Sequence, residues 1–585
     1  MFDTYHSNTR FLYRFYLFGI IFFSLIYIFR FYQLQIKSFK KYEQISEGNA
    51  EQIIPLIPPR GDIFDREGNL LVTEQPAFSL FAIPALFTEK TYQELKKILP
   101  LDSEKVWKKI GRLKYYKPVK IFRQIPESSL IYILENEILF RGIDIQVEPR
   151  RRYRPDVNMS HILGILGEAT SADVKEFNVE EGDIIGKKGV ERTYDIELRG
   201  QKGYKFIVVD ALGRVIRDNI PEKTVLPNPG KDLYLTIDLE LQRYAELLMQ
   251  NNRGAIVLLN VRNGEILTMV SSPGYDLSLF TGPIKNDVWA SLIADSTFPL
   301  YDRALQSTYP PGSTYKIVTA IAALNENVIK PDWSVTCNGY FRLGRRTIKC
   351  WKSDGHGQLD LTGAIKNSCN VYFYQLGLKI GLDLWEKYSK MYRFGLPTGI
   401  DIYGEKGGLV PSVSYYNKLF GEGKWTKGNL ANLAIGQGEL LVTPLQMAQF
   451  TMILANGGHY YQPHIRYFMY DKIKKQKEYY QIKKFSLDPL RQGVYDFVRE
   501  GMFQVVDDGT GRAARINNFS LAGKTGTAQN PQGDDHAWFI AYGPVDNPEV
   551  AIAVIVENGG SGGAVAAPLA RELIRKYIRK YHYNP

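Results

Sequence analysis

Tyr309-Pro310-Pro311-Gly312-Ser313-Thr314-Tyr315-Lys316 closes a proline-rich turn and opens an apolar run, Ile317 to Leu324, that suits a fully buried helix. Proline is tolerated in a first helical turn, where its missing N–H has no partner to lose, so a helix is expected to start here. Residues three apart share one helical face, which brings the Ser313 hydroxyl and the Lys316 amine together. A serine hydroxyl is a poor nucleophile until a base takes its proton, and a lysine with a lowered pKa can be that base. The helix N-terminus would favour the developing negative charge. Serine three residues before lysine is also ordinary helix composition, so the rest of the chain must supply the context.

Two downstream stretches supply it. Ser368-Cys369-Asn370 falls between two expected helices, and Lys524-Thr525-Gly526-Thr527 falls at the end of an expected strand, Phe519–Lys524. Around them, Asp238–Gln250 reads as an amphipathic helix and Pro568–Tyr577 as a closing helix. Ala255–Asn260 and Glu265–Ser271 read as a hairpin turned by Val261-Arg262-Asn263-Gly264. Ala537–Tyr542 and Glu549–Glu557 read as strands flanking the turn-rich Gly543–Pro548. Strands at both ends of a helical centre predict one antiparallel sheet covered by helices, an α+β domain.

Farther out, 585 residues are too many for one ordinary domain, and 44% hydrophobic with 23% charged residues fits packed cores. The net charge of +11 is spread along the chain. Its densest pieces, Lys472–Lys477 and Arg571–Lys580, come without a zinc-finger, RRM or helix-turn-helix pattern. They read as solvated basic faces, suited to anionic lipid or polymer, with no nucleic-acid partner. Gly186-Lys187-Lys188-Gly189 lacks the phosphate-loop pattern. Phe11–Leu34 is apolar and aromatic, and its uncharged centre, Phe15–Phe29, has 15 residues, short of the ~20 of a full span. Arg14 and Arg30 can snorkel from its ends, and no small-residue cleavage site follows, so an uncleaved signal anchor is expected. Arg10 and Arg14 precede it while Arg30, Lys37, Lys40 and Lys41 follow, so charge counting does not set its orientation.

Pro58 to Asn69 reads as an extended entry with a turn at Glu67–Asn69, its Asp and Arg residues pairing as buried salt bridges between segments. Thr91–Leu99 and Ser128–Glu137 read as helices, Tyr204–Val209 and Leu233–Ile237 as strands, and Pro221–Gly230 as a linker. The expected division is a tail (1–10), a transmembrane anchor (11–34), a mixed α/β domain (35–220), a linker (221–231) and the motif-bearing domain (232–585).

In this order and on these elements, Ser313-x-x-Lys316, Ser368-x-Asn370 and Lys524-Thr525-Gly526 resemble the signature of penicillin-recognising serine acyltransferases. Gly436-Gln437-Gly438-Glu439 with Thr443–Ala448, and Asp535-His536-Ala537-Trp538-Phe539, look like the segments flanking that family's third motif. Pro58–Arg66 (PPRGDIFDR) and Gly189–Gly200 (GVERTYDIELRG) look like the non-catalytic pedestal of class B penicillin-binding proteins, and the His356–Tyr374 segment is most like the elongation type. A septal class B transpeptidase and a non-catalytic β-lactam or peptidoglycan sensor of the same fold are the alternatives. The resemblance implies an elongated pedestal and a transpeptidase domain with an added all-helical subdomain. It implies an acyl-enzyme on Ser313, with Lys316 as base, its pKa lowered by burial and by the charge of Lys524. Ser368 would relay a proton to the leaving D-alanine, and Asn370 would hold Lys316 or the substrate backbone. Lys524 and Thr525 would bind the terminal carboxylate of a D-Ala-D-Ala stem peptide or a β-lactam, and Gly526 would make room for that peptide. The N–H groups of Ser313 and Thr527 would form the oxyanion hole. It also implies an inner-membrane protein with its bulk outside the cytoplasm, partnered by a SEDS-type glycosyltransferase and other elongation-complex proteins, with no organic cofactor.

The three cysteines and one histidine are spaced C-x12-C-x5-H-x12-C, as Cys337, Cys350, His356 and Cys369. The spacing leaves open one structural zinc, a Cys337–Cys350 disulfide, or free thiols. The resemblance implies that some elongation-type relatives carry zinc here through mixed Asp, His and Cys ligands.

Overall fold

The computed structural model describes residues 3–38, 40, 51–111, 116, 118–210, 215–217, 220–282, 284 and 286–583. They pack as two compact units. One comprises Met1–Pro58, Ala77–Glu148 and Gln201–Asn228, and the other Pro59–Pro76, Pro149–Gly200 and Pro229–Pro585. The units therefore interleave along the chain, with Pro59–Pro76 and Pro149–Gly200 packing in the same unit as the C-terminal residues.

In the first unit a helix, Asp3–Tyr32, runs on into a π-helical turn, Gln33–Lys37. Among the described residues one helical stretch, Leu12–Lys37, is long and apolar enough to cross a membrane. Its 26 residues rise about 39 Å at 1.5 Å each, because the apolar flanks add to the short uncharged centre. Glu51–Leu56 pairs antiparallel with Gly203–Val209, which pairs with Val215–Arg217. The expected linker is tied to this sheet: Tyr204 and Val225 exchange backbone hydrogen bonds of 2.8 and 2.9 Å. A separate core gathers Tyr92 and Leu95 of helix Glu89–Ile98, Val106 of Ser103–Ile110 and Ile133 of Glu127–Glu135.

The second unit contains the expected buried ion pairs. Arg60 bonds Glu191 and Asp195 at 2.7 and 2.8 Å, and Arg151 bonds the other Glu191 oxygen at 2.8 Å. Glu191 is fully buried, so its charge needs both guanidinium partners. Asp65 closes the turn after it by accepting from the N–H groups of Glu67 and Asn69.

Helix α1 (Leu239–Met249) follows, capped by the Asp238 carboxylate, which accepts from Glu240 and Leu241 N–H. Next come strands β1 (Gly254–Asn260) and β2 (Ile266–Ser272), then the helical body: α2 (Lys316–Asn325), α3 (Leu361–Lys366), α4 (Asn370–Met391), α5 (Pro444–Ala455) and α6 (Val494–Asp507). The chain ends with β3 (Ala522–Ala528), β4 (His536–Gly543), β5 (Val550–Val556) and α7 (Ala566–His582). The sheet order is β2-β1-β5-β4-β3, antiparallel throughout, which leaves β3 at an edge. One face is covered by α1 and α7 through Leu241, Met249, Leu573 and Ile574. The other carries α5 and the helical body, whose core includes Phe450, Ile321 and Phe373.

Two elements differ from expectation. Strand β3 begins at Ala522, not Phe519, and carries the Lys-Thr-Gly motif in its middle, not at its end. Its ladder to β4 continues to Ala528 opposite His536, so the partner strand, not local composition, sets its ends. The closing helix runs to His582 because Tyr577 and Ile578 continue its buried stripe.

Candidate active site

Ser313 lies in a 3₁₀ turn, Gly312–Tyr315, that leads into α2 at Lys316. Side chains three apart eclipse in a 3₁₀ turn, so this entry serves the serine–lysine pairing at least as well as an α-helix would. The turn is pressed against two neighbours. Gly312 donates its N–H to Gly436 O at 2.8 Å and has φ +57, and a β-carbon there would sit 2.7 Å from Thr527 O. Trp538 on β4 donates its indole N–H to Pro310 O at 3.0 Å. The Ser313 turn is thereby pinned to the rim of the sheet.

Lys316 is fully buried and its amine is shared out: 2.8 Å to Ser368 O, 3.3 Å to Ser368 Oγ and 2.7 Å to Asn370 Oδ1. Asn370 begins α4 with Cys369 at its N-cap, so Ser368-Cys369-Asn370 crosses the gap between α3 and α4. Lys524, on β3 and also fully buried, donates to Ser368 Oγ at 2.9 Å and to Thr525 O at 3.1 Å. The Ser368 hydroxyl therefore stands between two lysine amines. Burial pulls Lys316 down to about 8, and the nearby sulfurs of Cys369 and Cys350 oppose that shift. Burial and then the charge of Lys316 hold Lys524 well below its ordinary value. The repulsion between two such amines is mutual, so the charge on either one disfavours the charge on the other.

The remaining motif residues lie along β3. The carbonyl of Thr527 accepts from Gln437 Nε2 at 3.1 Å, so it points away from β4, and the N–H of the same residue points with it. The side chain of Thr525, two residues earlier, lies on the same face of the strand as that of Thr527, and its hydroxyl is bonded to Thr510 Oγ1 at 2.8 Å. Gly526 points the other way. A β-carbon there would meet Pro311 O and Trp538 Cβ at 2.9 Å and Thr314 Cγ2 at 3.0 Å. The glycine lets the Ser313 turn approach the strand.

Cys337, Cys350, His356 and Cys369 also come together: their ligand atoms all lie within 4.8 Å of one another, and all three cysteines are buried free thiols. Both Cys337 Sγ and Cys350 Sγ stand 3.6 Å from His356 Nδ1. In tetrahedral zinc with Zn–S about 2.3 Å and Zn–N about 2.05 Å, sulfur and nitrogen lie about 3.6 Å apart. Hydrogen bonding from Cys369 draws Cys350 down to about 4, and burial lowers His356. A thiolate and a neutral imidazole are the protonation states that bind metal.

Sequence reasoning missed three contributors. Thr510 orients Thr525, Gln437 holds Thr527, and Trp351 donates its indole N–H to Ser368 O at 3.1 Å. Gln437 and Trp351 stood beside motif residues, but their bonds go to backbone far along the chain, which spacing cannot show.

The fold and this site define a penicillin-recognising serine acyltransferase. Two families match: "Penicillin binding protein transpeptidase domain" over residues 254–575, and "Penicillin-binding Protein dimerisation domain" over 55–235. The chain is 35% identical to the peptidoglycan D,D-transpeptidase MrdA of Haemophilus influenzae, covering 96% of this chain and 90% of that one. It resembles the Helicobacter pylori penicillin-binding protein PBP2 solved in complex with MreC, with a TM-score of 0.80 and 31% identity over 91% of this chain and 100% of that one. A chain of a peptidoglycan synthase complex, solved for the coordination of polymerization and crosslinking, matches with a TM-score of 0.72 and 27% identity over 96% and 98%. The chain belongs to the class B penicillin-binding proteins.

Proposed function

We propose that this chain is an elongation-type peptidoglycan D,D-transpeptidase that cross-links stem peptides through an acyl-enzyme on Ser313. The observation that carries the reading is the Ser368 hydroxyl held between Lys316 and Lys524. Neutral Lys316 takes the Ser313 proton as Oγ attacks the penultimate D-Ala carbonyl. The oxyanion is received by the N–H groups of Ser313 and Thr527. The proton passes by way of Ser368 to the amine of the departing D-alanine, whose carboxylate sits against Lys524 and Thr525. That carboxylate would favour the charged form of Lys524, which burial and the charge of Lys316 disfavour. Asn370 offers its oxygen to Lys316, which leaves its NH₂ for the substrate backbone. An acceptor amine then attacks the ester, gives up a proton and frees Ser313. A fluorescent penicillin should label the wild type and not Ser313→Ala, and cross-linked dimers should form from stem peptides; labelling without turnover would reduce the chain to a sensor.

Cys337, Cys350, His356 and Cys369 are proposed to hold one structural zinc, supported by the match of the sulfur–nitrogen distances to a tetrahedral edge. When bound it would staple the Cys337–Asp354 hairpin to the loop carrying Ser368. Purification without chelators should give close to one zinc per chain; a metal-free, fully active protein would reject it.

The apolar helix serves as a single membrane anchor with the bulk of the chain outside the inner membrane, where stem peptides are. The likeness to the MreC complex and to the synthase complex supports partners of those kinds, a SEDS-type glycosyltransferase among them. Co-purification that survives Ser313→Ala but is lost when residues 1–38 are removed would fit an anchor-borne contact.

A further inference from the structure

Ser368 has φ +50, in the left-handed region that a residue with a β-carbon seldom occupies. Such a conformation persists only where its surroundings hold it, and the backbone in turn restricts where the side chain points. Here the holding is visible. Ser368 O accepts from Lys316 Nζ at 2.8 Å and from Trp351 Nε1 at 3.1 Å, and the same indole N–H reaches Asn367 O at 3.1 Å. One donor thus clamps two successive carbonyls at the point where the chain turns left-handed. The Trp351 residue is 58% exposed, so burial of an apolar surface does not account for a tryptophan there. Its backbone is fixed from the other side: the preceding Cys350 donates its N–H to Gly339 O at 2.8 Å.

We infer that Trp351 is a positioning residue for acyl transfer. Its indole N–H locks the left-handed Ser368 so that Oγ stays between Lys316 and Lys524. The ring packs on His356, with centroids 5.2 Å apart, but the role inferred here belongs to the N–H, and it rests on the Ser313-centred mechanism above.

The test replaces only that hydrogen. Full-length protein carrying Trp351→Phe, and a second protein with β-(3-benzothienyl)alanine at 351, which keeps the ring shape and lacks the N–H, are compared with wild type by stopped-flow acylation with a fluorescent penicillin. Both should acylate about tenfold more slowly, the worth of one neutral hydrogen bond, with the non-covalent dissociation constant changed by less than about twofold and the thermal midpoint unmoved. Wild-type acylation in both, or a loss seen only in Trp351→Ala, would overturn the inference, as would a fall in thermal midpoint that tracks the rate. Labelling of Ser313→Ala would instead overturn the nucleophile assignment on which the inference stands.

Discussion

Among the described residues Lys316 makes no ion pair: its amine meets a carbonyl, a hydroxyl and an amide oxygen, all neutral. Nothing there repays the full cost of burying a charge, which is why its pKa falls to about 8. Acylation needs the neutral amine, so its rate should rise roughly tenfold per pH unit below 8 and level off above. A penicillin-acylation rate flat from pH 6 to 9 would remove Lys316 as the base. At the opposite wall, Thr525→Val keeps the shape and deletes the hydroxyl bonded to Thr510. It should weaken donor peptides that end in a carboxylate by about tenfold in kcat/KM, while their C-terminal amides, already poor, lose far less. The motif residues were legible because short spacings on one element decide which side chains meet. The neutral acceptors around each amine were not, because Ser368 O and Thr525 O reach the lysines only once distant segments have packed.

At the scale of elements, the nucleophile turn, the Gly436 loop and β3 meet with almost no room between backbones. A β-carbon at Gly436, whose φ is +74, would lie 2.1 Å from Gly312 O. Gly436→Ala should therefore cost about 2–4 kcal/mol of stability and displace Ser313, read as a lowered thermal midpoint together with slowed acylation. A fully stable and active variant would show that the loop is not the backing of the turn. Apolar patterning predicted most strands and helices of this domain, since β1, β4 and β5 are buried runs. It misplaced β3, because Lys-Thr-Gly-Thr has no strand-like pattern and owes its extended form to the ladder with β4.

At the scale of the molecule, the two units are threaded through one another in sequence, and composition gave no sign of it. The sequence signal that did exist was the charged run near Pro58–Asn69, read as buried ion pairs and found as Arg60, Glu191, Arg151 and Asp195. Glu191→Gln leaves two buried guanidinium groups short of a carboxylate. It should cost about 3–5 kcal/mol, seen as a thermal midpoint roughly 10 °C lower, with acylation at permissive temperature retained. An unchanged midpoint would mean the cluster does not hold its unit together. With the proposed anchor, copies of this chain would share a plane and meet often, and the rim of β3 is the kind of open edge on which copies can stack. The side chain of Gln437 bears on this. It donates to Thr527 O at 3.1 Å and accepts from Gln529 N at 3.3 Å, as a residue of a neighbouring strand would. One amide thus acts as a counterfeit strand: it ends the docking rail after Thr527, long enough for the tip of a stem peptide and too short for a sister molecule to zip along.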